Sequence, residues 1–182
     1  MNQDHYEQTV RDLLEIVRSR HFGKYRGVVA SGDPDPTRRG RVEVRVPAIL
    51  GEQIVWAMPC VPFAGKGVGF HMLPPPGAGI WVEFEAGDPS YPIWSGCYWA
   101  AGDIELADSR PAIKFIRTDK LTLRIDDERG ELVIETNTGS RFTISALEIE
   151  QRAVTISAIS KTKNTKLSPK SLSVHRGATE IF

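Results

Sequence analysis

From about residue 112 onward the chain breaks into short segments in which apolar and polar residues alternate. Leu121, Leu123 and Ile125 form one segment, Leu132 and Ile134 the next. Phe142 and Ile144, Leu147 and Ile149, Val154 and Ile156, and finally Leu172 and Val174 follow. A period of two is that of a half-buried strand. Turn-forming runs such as Asp127-Glu128-Arg129-Gly130 and Asn137-Thr138-Gly139 separate the segments. Each strand therefore brings only two or three apolar side chains to one face. At about 25 cal/mol per Å² of buried apolar surface, these do not offset the ~1–2 kcal/mol lost for each backbone residue ordered. Strands this thin must stack on neighbours. If three chains wrap one axis, every inward residue meets two copies of itself and a dry core forms. A single-chain β-solenoid is the competing solution, and it needs many more coils than this stretch can make.

The rest of the sequence has a different character. Between about residues 3 and 21, Tyr6, Val10, Leu13, Leu14 and Val17 recur on one face of a helix, with Glu7, Arg11, Asp12, Glu15 and Arg18 on the others. No second helix is expected. Residues 24–101 read as five strands, near 24–31, 42–46, 54–60, 80–84 and 91–99. Pro- and Gly-rich breakers at 33–36, 74–77 and 87–89 lie between them. Five short strands in this length fit a small barrel of the OB type, with a loop over 61–79. The expected organisation is an amphipathic helix (1–23), an OB-like barrel (24–101), a neck (102–117) and an intertwined trimeric β-prism (118–182). The fold class is mainly β.

Few motifs suggest chemistry. Gly65-Lys66-Gly67-Val68-Gly69 lacks the Ser or Thr of a phosphate loop and the third Gly of a dinucleotide fingerprint. His5, His21, His71 and His175 have no metal-ligand spacing, so neither metal nor cofactor is expected. Asp126-Asp127-Glu128 resembles an acid–base pair, but before Arg129-Gly130 it reads as a hairpin turn. Cys60 and Cys97 both sit in apolar runs and are expected as buried thiols. Lysine and arginine together number 23, as do aspartate and glutamate, giving no net charge. A nucleic-acid partner is therefore not expected, since phosphate contacts call for a basic surplus. Lys161, Lys163, Lys166 and Lys170 form the most lopsided run. It reads as a solvated face, or in a trimer as a belt able to meet anionic headgroups. No signal-peptide core or spanning run is visible, so a soluble protein that is not exported by the usual route is expected.

The middle region resembles a known family. Its carrying residues are Gly40-Arg41-Val42-Glu43-Val44-Arg45-Val46-Pro47, Val55-Trp56-Ala57, Pro62-Phe63-Ala64-Gly65, Gly69-Phe70 and Leu73-Pro74. Pro76-Gly77-Ala78-Gly79, Ile80-Trp81-Val82-Glu83-Phe84, Gly87-Asp88-Pro89, Tyr91-Pro92-Ile93 and Gly96-Cys97-Tyr98 complete the series. In order and spacing they are similar to the OB domain of phage baseplate assembly protein V and of the VgrG spikes of type VI secretion. Residues 118–130 and 139–144 are similar to the start of the needle in those proteins.

The resemblance implies a non-enzymatic homotrimer at the centre of a contractile baseplate, in a phage virion or related injection particle. It implies a separate hub subunit at the barrel end, a PAAR-type protein at the tip and transient contact with a target membrane. Under that reading Leu121, Leu123, Ile125, Leu132, Ile134, Phe142, Ile144, Ile149, Val154 and Ile156 line the trimer core. Tyr6, Val10, Leu13, Leu14 and Val17 face the hub or a sister barrel, and Ile181 and Phe182 form a tip platform. Two readings from other classes remain: an OB protein binding single-stranded nucleic acid or carbohydrate, and an accessory of a cell-wall hydrolase. The first requires an exposed aromatic and basic face. The second requires a catalytic carboxylate pair.

Overall fold

The structure is a computed structural model that describes residues 3–159, 164–168, 172–174 and 179–181. The chain divides into two compact units, Met1–Asp103 and Ile104–Phe182.

The first unit opens with helix α1 (Gln3–Ser19). Strands β1 (Tyr25–Val29) and β2 (Val42–Arg45) follow, then a one-turn helix α2 (Pro47–Leu50) and strand β3 (Ile54–Pro59). A tiny hairpin, β4 (Ala64–Gly65) and β5 (Val68–Gly69), precedes β6 (Gly79–Phe84) and β7 (Pro92–Tyr98). Strands β1, β2, β3, β7 and β6 close a barrel in that order. All neighbours are antiparallel except β3 and β7, where Met58 pairs with Ile93 and Pro59 with Trp94 in parallel.

Alternation builds the barrel core directly. Val42 and Val44 of β2, and Ile80, Val82 and Phe84 of β6, point inward beside Val29, Val46, Ala57 and Trp94. Glu43, Trp81 and Glu83 occupy the intervening outward positions. Helix α2, absent from the sequence expectation, starts on Pro47, whose fixed φ suits the first helical position. Its Ile49 and Leu50 pack against the core. The stretch 61–79 contains no helix, only the β4–β5 hairpin with Gly67 at φ +73° in its turn. That places Gly65-Lys66-Gly67 in a hairpin rather than a phosphate loop.

The β1–β2 connection is ordered by one carboxylate. Asp35 accepts hydrogen bonds from the Thr37 and Arg39 amides at 2.9 and 2.7 Å, and from Arg41 Nη2 at 2.8 Å. The Arg41 guanidinium holds the Asp35 carboxyl far below the usual carboxylate range, against the opposing effect of burial.

The two cysteines depart from expectation. Cys60 and Cys97 are both exposed. Cys60 follows the last residue of β3. Cys97 lies beyond an irregularity where Val82 pairs with Trp94 but Ile80 pairs with Cys97, so β7 carries one extra residue.

The second unit is a pair of meanders. Strands β8 (Ile113–Arg117), β9 (Leu121–Asp126), β10 (Glu131–Thr136), β11 (Arg141–Ile144) and β12 (Ile149–Arg152) form one antiparallel sheet in sequence order. Strands β13 (Ile156–Ile159), β14 (Asn164–Leu167), β15 (Leu172–Val174) and β16 (Thr179–Ile181) form the other. Residues 113–117, expected to belong to a neck, are the edge strand of the first sheet. Within the single chain each sheet is an antiparallel meander.

The barrel core makes a direct prediction. Ile80 is fully buried, whereas Ile54 of β3 is exposed. Ile80→Ala should destabilise the first unit by about 2–5 kcal/mol. Ile54→Ala should change it by less than about 0.5 kcal/mol. Urea unfolding followed by tryptophan fluorescence reads both.

Candidate assembly surfaces

The β8–β12 sheet has two unlike faces. Its register puts Ile116, Leu123, Ile134, Phe142 and Gln151 in one row across the strands. Lys114, Ile125, Leu132, Ile144 and Ile149 form the next row on the same face. Leu123, Leu132, Ile134 and Phe142 are half-buried, while Ile116, Leu121, Ile125, Ile144 and Ile149 are exposed. A concavity of about 450 Å³ lies beside this face, lined in part by Leu121, Ile134, Phe142 and Ile156. In the single chain Leu123, Leu132, Ile134 and Phe142 are therefore only partly covered and the other five are open to solvent.

The opposite face is charged, and the chain closes it with its own residues. Asp108 is buried and receives Arg117 Nη2 at 2.6 Å and Arg124 Nε at 3.0 Å. Asp126 is buried at the end of β9, with Arg110 Nη2 at 3.4 Å and Arg124 Nη1 at 3.7 Å. Its other oxygen accepts the Glu128 and Arg129 amides at 3.1 and 3.2 Å, which forms the turn into β10. Arg110 also reaches Glu128 at 2.6 Å, and the Asp127 amide donates to the Ala112 carbonyl at 3.0 Å. Residues 108–112 are thereby held to this end of the sheet, and Ile113, Val133 and Thr143 are buried on the charged face.

Both aspartates are held in the charged form. For Asp108 the hydrogen bond from Arg117 is the main cause; burial opposes it and Arg124 adds to it. For Asp126 burial pushes the carboxyl up. The Arg129 amide, the Arg110 charge, the Glu128 amide and the Arg124 charge together outweigh that and leave it lowered.

The second surface is α1. Every described side chain from His5 to Ser19 is exposed, including Tyr6, Val10, Leu13, Leu14, Ile16 and Val17. The root of the helix, by contrast, is fastened to the barrel. The His21 amide donates to the Gly87 carbonyl at 2.8 Å, and Arg20 pairs with Asp88 at 3.2 Å. Gly87 sits at φ +77°, and a Cβ there would crowd Phe22 at 3.0 Å, so glycine eases this approach.

Aromatic side chains on the barrel are partly covered by arginines. Arg26 lies over both Trp81 and Tyr98, at 5.0 and 4.7 Å from the ring centroids. Arg41 lies over Trp56 at 5.1 Å while bound to Asp35. Trp94 is buried and Trp99 is exposed.

A five-stranded closed barrel with one parallel β3–β7 pairing has OB connectivity. Residues 25–99 match the family described as the type VI secretion system/phage-baseplate injector OB domain. Over these residues, the barrel of the chain is similar to that injector family. The matched segment begins with β1 and ends just after β7, so the injector OB domain and the closed barrel coincide. No curated protein matches the chain.

Outside the injector OB domain the expected site residues fall into three groups. Leu121, Leu123, Ile125, Leu132, Ile134, Phe142, Ile144 and Ile149 lie in β9–β12 on the apolar side of the sheet. Val154 is in the bend between β12 and β13 and exposed, while half-buried Ile156 starts β13. Ile181 ends β16, while Phe182, His175, Lys161, Lys163 and Lys170 lie outside the described residues.

Sequence reasoning missed Ile116, Val133 and the Asp108–Arg117–Arg124 cluster. The sequence pattern places Ile116 in the neck. Val133 lies between Leu132 and Ile134, so its opposite orientation was readable from the period of two. The cluster joins residues 9 and 16 positions apart, and only the register brings them together. Among the described residues no His, Cys, Asp or Glu group is placed to hold a metal ion, and no helix is long and apolar enough to cross a membrane.

The charged face predicts acid sensitivity. A carboxyl whose folded pKa is depressed contributes stability above its unfolded value of about 4, lost as pH falls through the folded value. The second unit should therefore hold its melting temperature at neutral pH and lose it below about pH 4. In Asp108→Asn the melting temperature should be lower at neutral pH and its acid decline shallower. Thermal melts followed by circular dichroism across the acid range measure both effects.

Proposed function

We propose that this chain is the central spike of a contractile injection particle, working as a homotrimer whose C-terminal strands form the piercing element. The observation that carries the reading is the asymmetric β8–β12 sheet in a chain that also holds an injector OB domain. Its charged face is closed by residues 108–112, while its aliphatic face is only partly covered in the single chain. Two further copies related by a threefold axis would cover that face with the same residues, making a dry core from strands too thin to form one singly. The role is mechanical: sheath contraction supplies the force, and the spike supplies stiffness and a closed surface. In this reading a separate hub meets the barrel end, a PAAR-type protein caps the C-terminal end, and the target membrane is met only transiently.

The carbohydrate- or nucleic-acid-binding reading finds less support. Stacking a base or sugar on Trp56 or Trp81 would displace Arg41 or Arg26 from the ring. The hydrolase reading finds none in Asp126, whose oxygens are engaged by a turn and two arginines.

Ile134 tests the proposal, because it sits in the middle of the aliphatic row. Ile134→Asp would bring three introduced carboxylates together in a dry core, a cost of at least several kcal/mol. It should convert the trimer to monomer and leave particles without this subunit, unable to inject. Glu148→Lys in the exposed β11–β12 turn should leave assembly unchanged. Normal incorporation and injection by Ile134→Asp particles would refute the spike assignment.

A further inference from the structure

Helix α1 carries a seam more regular than general amphipathicity requires. Tyr6, Val10, Leu13 and Val17 are spaced by four, three and four residues. In heptad terms Val10 and Val17 are a positions, and Tyr6 and Leu13 are d positions. All four are exposed in the single chain. The flanking positions Leu14 (e) and Ile16 (g) are also apolar and exposed, which makes the stripe wider than a two-stranded seam buries. The charges are arranged to match. Arg11, Asp12, Glu15 and Arg18 fall at b, c and f, the positions facing away from a seam, and Gln8 donates to Asp12 at 2.7 Å along that outer side. Among e and g positions only Glu7 carries a formal charge, so identical copies lying parallel meet little like-charge repulsion.

We infer that α1 is a second self-association element: three copies form a short parallel coiled coil, so its partner is this same chain. The inference rests on the trimeric reading above and names the occupant of the helix face. A helix of 17 residues is about 25 Å long and marginal alone in water. Joined to a trimer, three copies are held at an effective concentration in the millimolar range, which a short seam can exploit. The fastening at Arg20, His21 and Gly87 fixes where each helix leaves its barrel, and so limits what association must order. A helix reserved for a different protein would need an apolar stripe, but not charges cleared from the flanks that identical helices bring together.

The test is disulfide trapping in the full-length chain. Cys60 and Cys97 are exposed and are first replaced by serine. Leu13→Cys places a thiol on the seam and Glu15→Cys places one at f. Mild oxidation should give on the order of tenfold more intersubunit disulfide at Leu13→Cys, because only seam positions approach within bonding separation. The mass of the serine background is measured first. A monomer there overturns the spike reading and this inference together. A trimer in which Leu13→Cys and Glu15→Cys cross-link equally, or not at all, overturns the coiled coil alone and leaves the spike standing. Should Leu13→Cys alter the mass, Val10→Cys, the a position of the same seam, is compared with Glu15→Cys in the same way.

Discussion

Asp108 sits between Arg117 and Arg124, and much of the second unit's organisation follows from that contact. With Arg110 on Asp126 it ties the segment before β8 onto the charged side of the sheet. A buried carboxylate without partners would be costly, but here each is matched by guanidinium groups and amide donors. The chain thereby completes one face of the sheet from its own residues. The other face keeps Leu123, Ile134 and Phe142 in one row and Ile125, Leu132, Ile144 and Ile149 in the next. Charge pairing is directional and is satisfied locally, whereas apolar burial only requires that water be excluded. The division of labour between the two faces follows from that difference.

The two units solve the problem of a small core in different ways. In the barrel, closure brings inward residues of all five strands to one centre, and Val29, Val44, Val46, Ile80 and Val82 are almost completely dry. In the second unit an open meander distributes a similar kind of residue over a sheet without bringing it to a centre. Only Ile113 and Val133 among its described aliphatic residues become buried, and both lie on the charged side. Under the proposed function, further copies of the chain would bring that face to barrel-like burial.

Legibility in the sequence followed the range of the interaction. The five barrel strands, α1 and the turn at Asp126–Gly130 rest on local periodicity and turn chemistry, and they stand close to where alternation and breakers place them. Helix α2 announced itself only through Pro47 and Gly51, a short signal inside a run of strands. The edge strand β8 was hidden because Ile113-Lys114-Phe115-Ile116-Arg117 alternates imperfectly and follows a proline-containing stretch. Cys60 and Cys97 show the limit of reading burial from apolar neighbours. Strand ends and one extra residue in β7 decide their exposure, and neither follows from composition. The aspartate–arginine cluster could not be read at all, since its members meet only through the β8–β9 register. Of the assembly surfaces, the apolar residues of β9–β11 were legible as alternation, while the closure of the opposite face was not.

The central claim is that the aliphatic face of β8–β12 is covered by copies of the same chain. Sedimentation equilibrium of the purified wild-type protein, in the absence of any other component, measures this most directly. The account predicts a mass three times the 20.2 kDa of one chain, unchanged on dilution to low micromolar protein. A 20.2 kDa species that unfolds cooperatively at ordinary temperatures would contradict it, because that sheet would then be stable with its aliphatic face in water.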